Sequence, residues 1–205
     1  MSPTIKKLQV EPYTQWAAGV VSPSSACGPT TMAAMAEYWN TRQNLAFIRG
    51  KSHFHSKEAH INYIYLHHGG APWGMSVRGF IRGLKKYIGA FSGPRDGYRR
   101  DFPIITFNDF GRYKAEIDAG RPIAVKFDKW FSFHWKGQYA FDYHWVLGIG
   151  YEEEGRMQKL IVLDNGTRTV DHGYTPSQER WIDYNRNKPI VTMIGLSIEE
   201  TPEPL

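Results

Sequence analysis

Ser24–Trp39 reads SSACGPTTMAAMAEYW and contains the only cysteine of the 205-residue chain, Cys27. Two serines that can cap a helix precede Cys27, a proline lies two positions after it, and a run rich in alanine and methionine follows. This order predicts a helix that begins at Cys27. The free N–H groups and the positive dipole end of a first helical turn favour thiolate over thiol, which makes Cys27 a candidate nucleophile. The alternative is the usual one for a lone cysteine, a small buried apolar side chain.

The composition restricts the classes of protein to consider. Apolar residues make up 41% and aromatic residues 15% of the chain, enough for a core in one domain or in two lobes around a cleft. The net charge is +5, and the positively charged residues are scattered along the chain. The helix and aromatic signatures of nucleic-acid binding are missing, so we expect no nucleic-acid partner. We also expect no transmembrane segment, and the polar segment Met1–Gln9 does not resemble a signal peptide. The composition does not indicate an oligomeric state.

Helical patterns come before strand patterns along the chain. Apolar residues recur at three- and four-residue intervals after Cys27 and again over 77–88, and Asn108 or Asp109 can cap a third helix that closes at Gly120. Four apolar segments bounded by turns then predict strands, over Ile123–Phe127, Tyr143–Tyr151, Lys159–Leu163 and Ile190–Ile198. Helices followed by strands predict an α+β fold with an antiparallel sheet.

This order also predicts two lobes within one domain that spans residues 1–205. The helical lobe occupies about residues 10–95 and the sheet lobe about residues 100–200. The polar segment Ser92–Arg100 is the predicted boundary between them, because it is rich in glycine, proline and charged residues.

A cysteine nucleophile needs a base that accepts its proton and a third group that holds the base. His144 opens the apolar strand Tyr143–Tyr151, whose neighbours would hold the imidazole rigidly, so His144 is the predicted base. The next apolar strand ends in Asp164 and Asn165, and a hairpin would bring this end beside His144. Adjacent residues of a strand face opposite sides, so only one of the two can reach His144.

Three segments, in this order, resemble the papain-like cysteine peptidases. Cys27-Gly28-Pro29-Thr30 opens a helix, a His-aromatic-Val-x-x-x-Gly-Tyr strand begins at His144, and a further apolar strand ends in Asp-Asn. More narrowly, the chain resembles the double-glycine leader peptidases of bacteriocin exporters and their stand-alone bacterial relatives. The similarity includes Pro12-Tyr13-Thr14-Gln15, where such proteins carry the glutamine of the oxyanion hole. It extends over about Val10–Gly166, although residues 40–100 do not align.

The resemblance implies a papain-like fold and thiol-dependent hydrolysis of peptide bonds in a peptide or protein substrate, without a cofactor or metal. It implies that Cys27 is the nucleophile, His144 the general base and Gln15 an oxyanion-hole donor. Counted along the strand, the orienting residue of the family falls on Asn165, and Asp164 lies one position early. Stand-alone relatives are often exported, which implies a secreted or cell-envelope location. The alternatives are a non-catalytic binding module on the same fold and a papain-like cell-wall amidase or acyltransferase.

Two further segments allow competing interpretations. Residues 40–70 hold five of the eight histidines, and His53 and His55 could bind Zn²⁺. The segment lacks a recognised ligand spacing, so we expect a solvated surface without a metal. Trp130–Trp135 is dense in aromatic residues, which predicts burial in the core or, alternatively, a wall of the substrate cleft.

Overall fold

The structure is a computed structural model that describes residues 3–42, 45, 47–90 and 98–202. Within these ranges the α-helices are α1 (Cys27–Thr41), α2 (Lys51–Phe54), α3 (Lys57–His67), α4 (Val77–Gly89), α5 (Phe110–Asp118) and α6 (Tyr184–Asn187). The strands are β1 (Thr4–Lys7), β2 (Tyr98–Asp101), β3 (Ile104–Phe107), β4 (Ile123–Asp128), β5 (Tyr143–Glu154), β6 (Met157–Leu163), β7 (Thr167–Arg168), β8 (Tyr174–Thr175), β9 (Glu179–Asp183), β10 (Val191–Leu196) and β11 (Glu199–Pro202). Short 3-10 helices occupy Pro23–Ser25 and Lys188–Ile190.

The main sheet is antiparallel and is organised around the long strand β5. Its described strands follow the order β3-β10-β4-β5-β6-β9, and β1 pairs with the second half of β5. The pairs β2–β11 and β7–β8 form two small separate sheets. Helices on an antiparallel sheet confirm the predicted α+β class.

The two faces of the sheet bury different sets of side chains, because successive residues of a strand point to opposite sides. Trp145 and Leu147 of β5 pack with α1, α3 and α4 in one apolar cluster. Val146, between them, belongs to a second cluster with α5 on the other face. A register shift between Gly148 and Gly150 reverses the alternation further along β5.

The predicted start of the central helix at Cys27 is confirmed, but the predicted serine cap is wrong. Ala26 occupies the N-cap position and supplies no side-chain hydrogen bond. The Ser25 hydroxyl instead lies 3.1 Å from the hydroxyl of Tyr65 on α3. The preceding 3-10 helix turns Ser25 away from the helix end, so the first-turn N–H groups of α1 have no side-chain cap.

The predicted third helix is confirmed as α5, with Asp109 rather than Asn108 as its cap. The Asp109 carboxylate accepts a hydrogen bond from the backbone N–H of Arg112 at 2.8 Å. Gly120 adopts φ 76° just beyond the helix, as a closing glycine does. The predicted boundary between the lobes, Ser92–Arg100, lies mostly outside the described residues.

The expectation that the histidines of residues 40–70 lie on a solvated surface is wrong for two of them. His60 is completely buried in α3, and His68 is buried just after that helix. The His60 ring stacks on Phe54 at 4.8 Å between centroids, and its nitrogens lie 3.2 Å and 2.9 Å from the hydroxyls of Tyr13 and Tyr87. The tyrosine hydroxyls satisfy both ring nitrogens, which makes burial of this polar side chain possible.

The expected burial of the aromatic segment Trp130–Trp135 in the core is also wrong. The side chains of Trp130, Phe131, Phe133 and Trp135 are between 53% and 79% exposed. They lie on the connection between β4 and β5, and none of the four belongs to either apolar cluster. Phe131 lines a cavity of about 400 Å³ together with Trp73 and Tyr143, and the alternative of a substrate-cleft wall stays a prediction.

No helix within the described residues combines the length and apolar character needed to cross a membrane.

Candidate active site

Cys27 lies at the first position of α1 and is only 4% exposed. Burial raises the pKa of the Cys27 thiol, because a thiolate loses its hydration in the interior. The backbone N–H groups of Cys27 and Gly28 act in the opposite direction, as expected at a helix start. The backbone N–H of Trp145 on β5 and the Lys126 ammonium also lower this pKa, but burial is the larger effect. The thiol form of Cys27 is therefore favoured, contrary to the expectation from the helix dipole alone.

His144 lies near the start of β5, opposite Phe127 of β4. Its ring packs on Phe141 with 4.9 Å between centroids. Burial lowers the pKa of His144 to about 4, the Asp164 carboxylate opposes this change, and the Arg180 guanidinium adds to it. Cys27 and His144 are thus both neutral near pH 7 in this state.

Gln15 is held by hydrogen bonds at both its backbone and its side chain. Its backbone N–H donates to the carbonyl of Asn165 at 2.9 Å, and its Nε2 donates to the carbonyl of Pro23 at 2.8 Å. The side chain is buried, and one N–H of the amide stays available for a further acceptor. Its Oε1 is buried without a hydrogen bond to any described group, which is a cost of this placement of the amide.

Cys27, His144 and Gln15 line one cavity of about 190 Å³. The remaining lining residues are Ser24, Ser25, Pro72, Trp73, Gly74 and Tyr143. A thiol, an imidazole and an amide side chain therefore line one cavity at the N-terminal end of α1. A larger cavity of about 750 Å³ borders Glu37 and Arg42 towards the other end of α1, away from these groups.

The loop between α3 and α4 closes one side of the small cavity. Trp73 is 85% exposed, and Gly74 next to it adopts φ 88°. A Cβ atom at Gly74 would lie 2.9 Å from the Tyr143 hydroxyl, so a glycine is required by both its conformation and its close approach. The Tyr143 hydroxyl donates to the Met75 carbonyl at 3.1 Å and ties this loop to β5.

The side-chain hydrogen bonds of Asn165 within the described residues go to groups other than the imidazole of His144. Its Nδ2 donates to the carbonyl of Cys27 at 3.0 Å, to Oγ1 of Thr31 at 3.0 Å and to the carbonyl of Trp145 at 2.7 Å. The amide thus joins the first turns of α1 to β5. This placement differs from the expectation that Asn165 holds the ring of the base.

Asp164 lies on the opposite side of the chain from Asn165. Two positions earlier, Val162 packs in the second apolar cluster, the cluster to which Val146 also belongs. Since residues two apart in a strand share a face, Asp164 continues the face of Val162, and His144 continues the face of Val146. The carboxylate is buried and accepts hydrogen bonds from the backbone N–H of Gln178 and Gly166 at 2.7 and 3.1 Å.

Arg180 on β9 was not predicted from the sequence and forms an ion pair with Asp164. Its guanidinium is held on the same carboxylate that acts on His144. An alternating pattern in Glu179–Asp183 could have indicated the strand, but no local signal links this arginine to a carboxylate 16 positions earlier. Among the described residues, no three His, Cys, Asp or Glu side chains are grouped as metal ligands.

A helix that begins with cysteine, packed on an antiparallel sheet that carries a histidine, defines the papain-like peptidase fold. The structure of UfSP from C. elegans matches with a TM-score of 0.53 and 8% identity, covering 98% of this chain and 35% of that chain. The structure of digestive procathepsin L2 proteinase from Tenebrio molitor larval midgut matches with a TM-score of 0.43 and 13% identity, covering 95% of this chain and 65% of that chain. The chain thus spans about a third of the UfSP chain.

The chain belongs to the Peptidase_C39 like family, whose family model matches residues 7–189. The match includes the positions of all five predicted site residues, namely Gln15, Cys27, His144, Asp164 and Asn165. A search of curated proteins finds no match.

Proposed function

We propose that this protein hydrolyses peptide bonds with Cys27 as the nucleophile. The observation that carries the proposal is the single cavity that Cys27, His144 and Gln15 line together. A thiol, a base and an amide donor in one cavity are the groups that acyl transfer requires. Membership of a peptidase family supports the same chemistry.

His144 acts first as a base and then as an acid. The Cys27 sulfur attacks the amide carbonyl carbon while the thiol proton moves to the imidazole, and the resulting imidazolium protonates the departing amine. Water, deprotonated by His144, then cleaves the thioester to a carboxylic acid and restores the thiol. Because both groups start neutral, proton transfer accompanies the attack instead of preceding it.

Gln15 and the backbone N–H of Cys27 stabilise the oxyanion that forms during the attack. One amide proton of Gln15 is used by the Pro23 carbonyl, and the other is available to the cavity. Removing one such donor costs about 3 to 4 kcal/mol of transition-state stabilisation where this has been measured in a protease. We expect Gln15→Ala to lower kcat more than it changes KM.

Asp164, rather than Asn165, is the residue proposed to hold His144. The support is its position on the sheet face of His144 and its favourable action on the imidazolium. Asn165 instead uses its amide on Cys27, Thr31 and Trp145. In this proposal the two neighbouring residues serve opposite sides of the site.

The test is cleavage of unfolded casein and of a mixed quenched-fluorescence peptide library by the wild-type protein and by Cys27→Ala and His144→Ala. His67→Ala, which removes an exposed histidine on α3, is the matched control. We expect cleavage by the wild type and the control and none by the two cavity variants. Equal cleavage by Cys27→Ala and the wild type would overturn the proposal.

A binding module on the same fold is the second candidate, and the burial of Cys27 favours it. The Cys27 residue is 4% exposed, so its thiol offers little accessible surface to a substrate carbonyl. Under this alternative, no peptide or protein is cleaved, and Cys27→Ala binds ligands as the wild type does.

A further inference from the structure

Lys126 is a buried charged residue to which the proposed mechanism gives no role. It lies in the middle of the core strand β4, whose sequence is IAVKFD, and its side chain is 5% exposed. Burial of an ammonium is costly unless the charge is paired. A lysine in such a strand therefore needs a reason beyond the stability of the sheet.

Within the part of the chain that the structure describes, the ammonium of Lys126 has one carboxylate partner. Its Nζ lies 2.7 Å from the Asp128 carboxylate, which is two positions further along the same face of β4. Aromatic rings surround the rest of the group, with the Tyr143 ring centroid at 4.6 Å and those of Trp145 and Phe131 at 5.8 Å. An ammonium has three N–H donors, so the carboxylate of Asp128 leaves donor capacity unused.

Lys126 also lines a second cavity, of about 400 Å³, directly beside the Cys27 cavity. The two cavities share Trp73, Gly74 and Tyr143 as lining residues. Asp128 is not part of the lining, so the ammonium is the charged group that this cavity presents. Phe131 and a set of small residues complete the walls, namely Gly69, Ala71, Ser76 and Gly79.

We propose that this second cavity binds a carboxylate of the substrate, with Lys126 as the residue that selects it. The inference rests on the proposed peptidase function and adds to it a substrate class, acidic peptides. The rings of Trp73, Phe131 and Tyr143 would contact the methylene groups that carry the carboxylate. The carboxylate itself would accept charge-assisted hydrogen bonds from Nζ.

An apolar occupant fits this cavity less well than an anionic one. It would remove water from Lys126 and offer no acceptor in return, which leaves buried N–H donors unpaired. A basic occupant would place a second positive charge beside the ammonium. The net charge of +5 acts in the same direction, because it attracts acidic peptides over a longer range.

The test measures binding to Cys27→Ala, so it does not depend on turnover. Labelled peptides carry a single glutamate at each successive position of a neutral alanine-serine background, and matched peptides carry glutamine instead. Each peptide is made with a free and an amidated C-terminus, which distinguishes a side-chain carboxylate from a terminal one. Fluorescence anisotropy gives the dissociation constants.

We expect one carboxylate position to tighten binding at least about tenfold over its neutral counterpart, which is the lower end of the range for a hydrogen bond to a charged group. Adding Lys126→Met to Cys27→Ala should abolish this preference. Adding Lys129→Met, which removes a nearby charge that lines neither cavity, should keep it. Because Lys126→Met leaves the Asp128 carboxylate buried, a third variant combines it with Asp128→Asn, which can still accept the hydrogen bond from the Phe131 N–H.

Two results would overturn the proposed subsite. The first is equal binding of the glutamate and glutamine peptides at every position and with both kinds of C-terminus. The second is binding of all peptides that is too weak to measure. A preference that survives in the Lys126 variants would also overturn it. Cleavage assays of the wild-type protein separate the two proposals. Cleavage without a carboxylate preference refutes the subsite alone, whereas a preference in binding without any cleavage refutes the peptidase function alone.

Discussion

Replacing Asn165 with aspartate separates two roles for this residue. If Asn165 held the ring of His144, aspartate would be a conservative replacement, because a carboxylate also accepts a hydrogen bond from an imidazole. The structure instead shows Asn165 as a donor, whose two N–H hydrogens serve acceptors on Cys27, Thr31 and Trp145. An ionised carboxylate at this position donates nothing and faces three oxygens.

The magnitude follows from the three contacts and from burial. Asn165 is 2% exposed, and each lost hydrogen bond costs about 0.5 to 1.5 kcal/mol. Asn165→Ala should therefore lower the free energy of unfolding by about 2 to 3 kcal/mol. Asn165→Asp should lower it by about 3 to 5 kcal/mol at pH 7, because it adds the cost of a buried unpaired charge.

The pH dependence gives a second signature of the aspartate variant. Burial among oxygens raises the pKa of the introduced carboxyl above its value in the unfolded chain. The folded state then holds the proton more tightly, so the deficit relative to the alanine variant should shrink at acid pH and grow as the pH rises.

Urea denaturation of the wild type and both variants between pH 4 and 8 measures these differences, and peptide cleavage measures activity. We expect the order wild type, then alanine, then aspartate in stability at pH 7. An aspartate variant as stable and as active as the wild type would refute this reasoning and would return Asn165 to the role of holding His144.

Three other outcomes concern titrating groups. Asp164→Asn should lower the pKa of His144 further below about 4, and Arg180→Gln should raise it, because the two charges act on the ring with opposite signs. An NMR titration of the imidazole signals measures both pKa values. Equal pKa values of His144 in the two variants would contradict this expectation. Burial lowers the pKa of His60 to about 3, so the unfolded chain binds this proton more readily than the folded protein does. The free energy of unfolding should therefore be unaffected by this group above about pH 6.5. It should fall towards pH 3, by up to about 1.4 kcal/mol per pH unit. Urea denaturation of the wild type and His60→Gln tests this, and identical pH profiles would count against it. Iodoacetamide should label Cys27 at pH 7 at least about tenfold more slowly in the folded protein than in urea, since burial raises the thiol pKa; faster labelling when folded would show a thiolate in the resting site.

The sequence alone determined the class of the fold and the order of the reactive groups. The helix start at Cys27 and the strand that carries His144 are visible because apolar spacing and a proline in the first helical turn are local signals, although the serines do not cap this helix. Strand alternation likewise shows that Asp164 and Asn165 face opposite sides. These features need no knowledge of what packs against them.

Only the tertiary structure decided which face of the sheet Asp164 and Asn165 each lie on, and which other groups lie on the same face. α1 covers the face of Asn165, so the amide reaches Cys27, while the other face leaves Asp164 with His144 and Arg180. Alternation in a single strand cannot tell which side a distant helix covers, because that choice depends on the packing of segments more than 100 positions apart. For the same reason, the sequence alone does not show that His60 is buried, because tyrosines from two other segments satisfy its ring nitrogens. It also does not show that the aromatic side chains of Trp130–Trp135 are exposed.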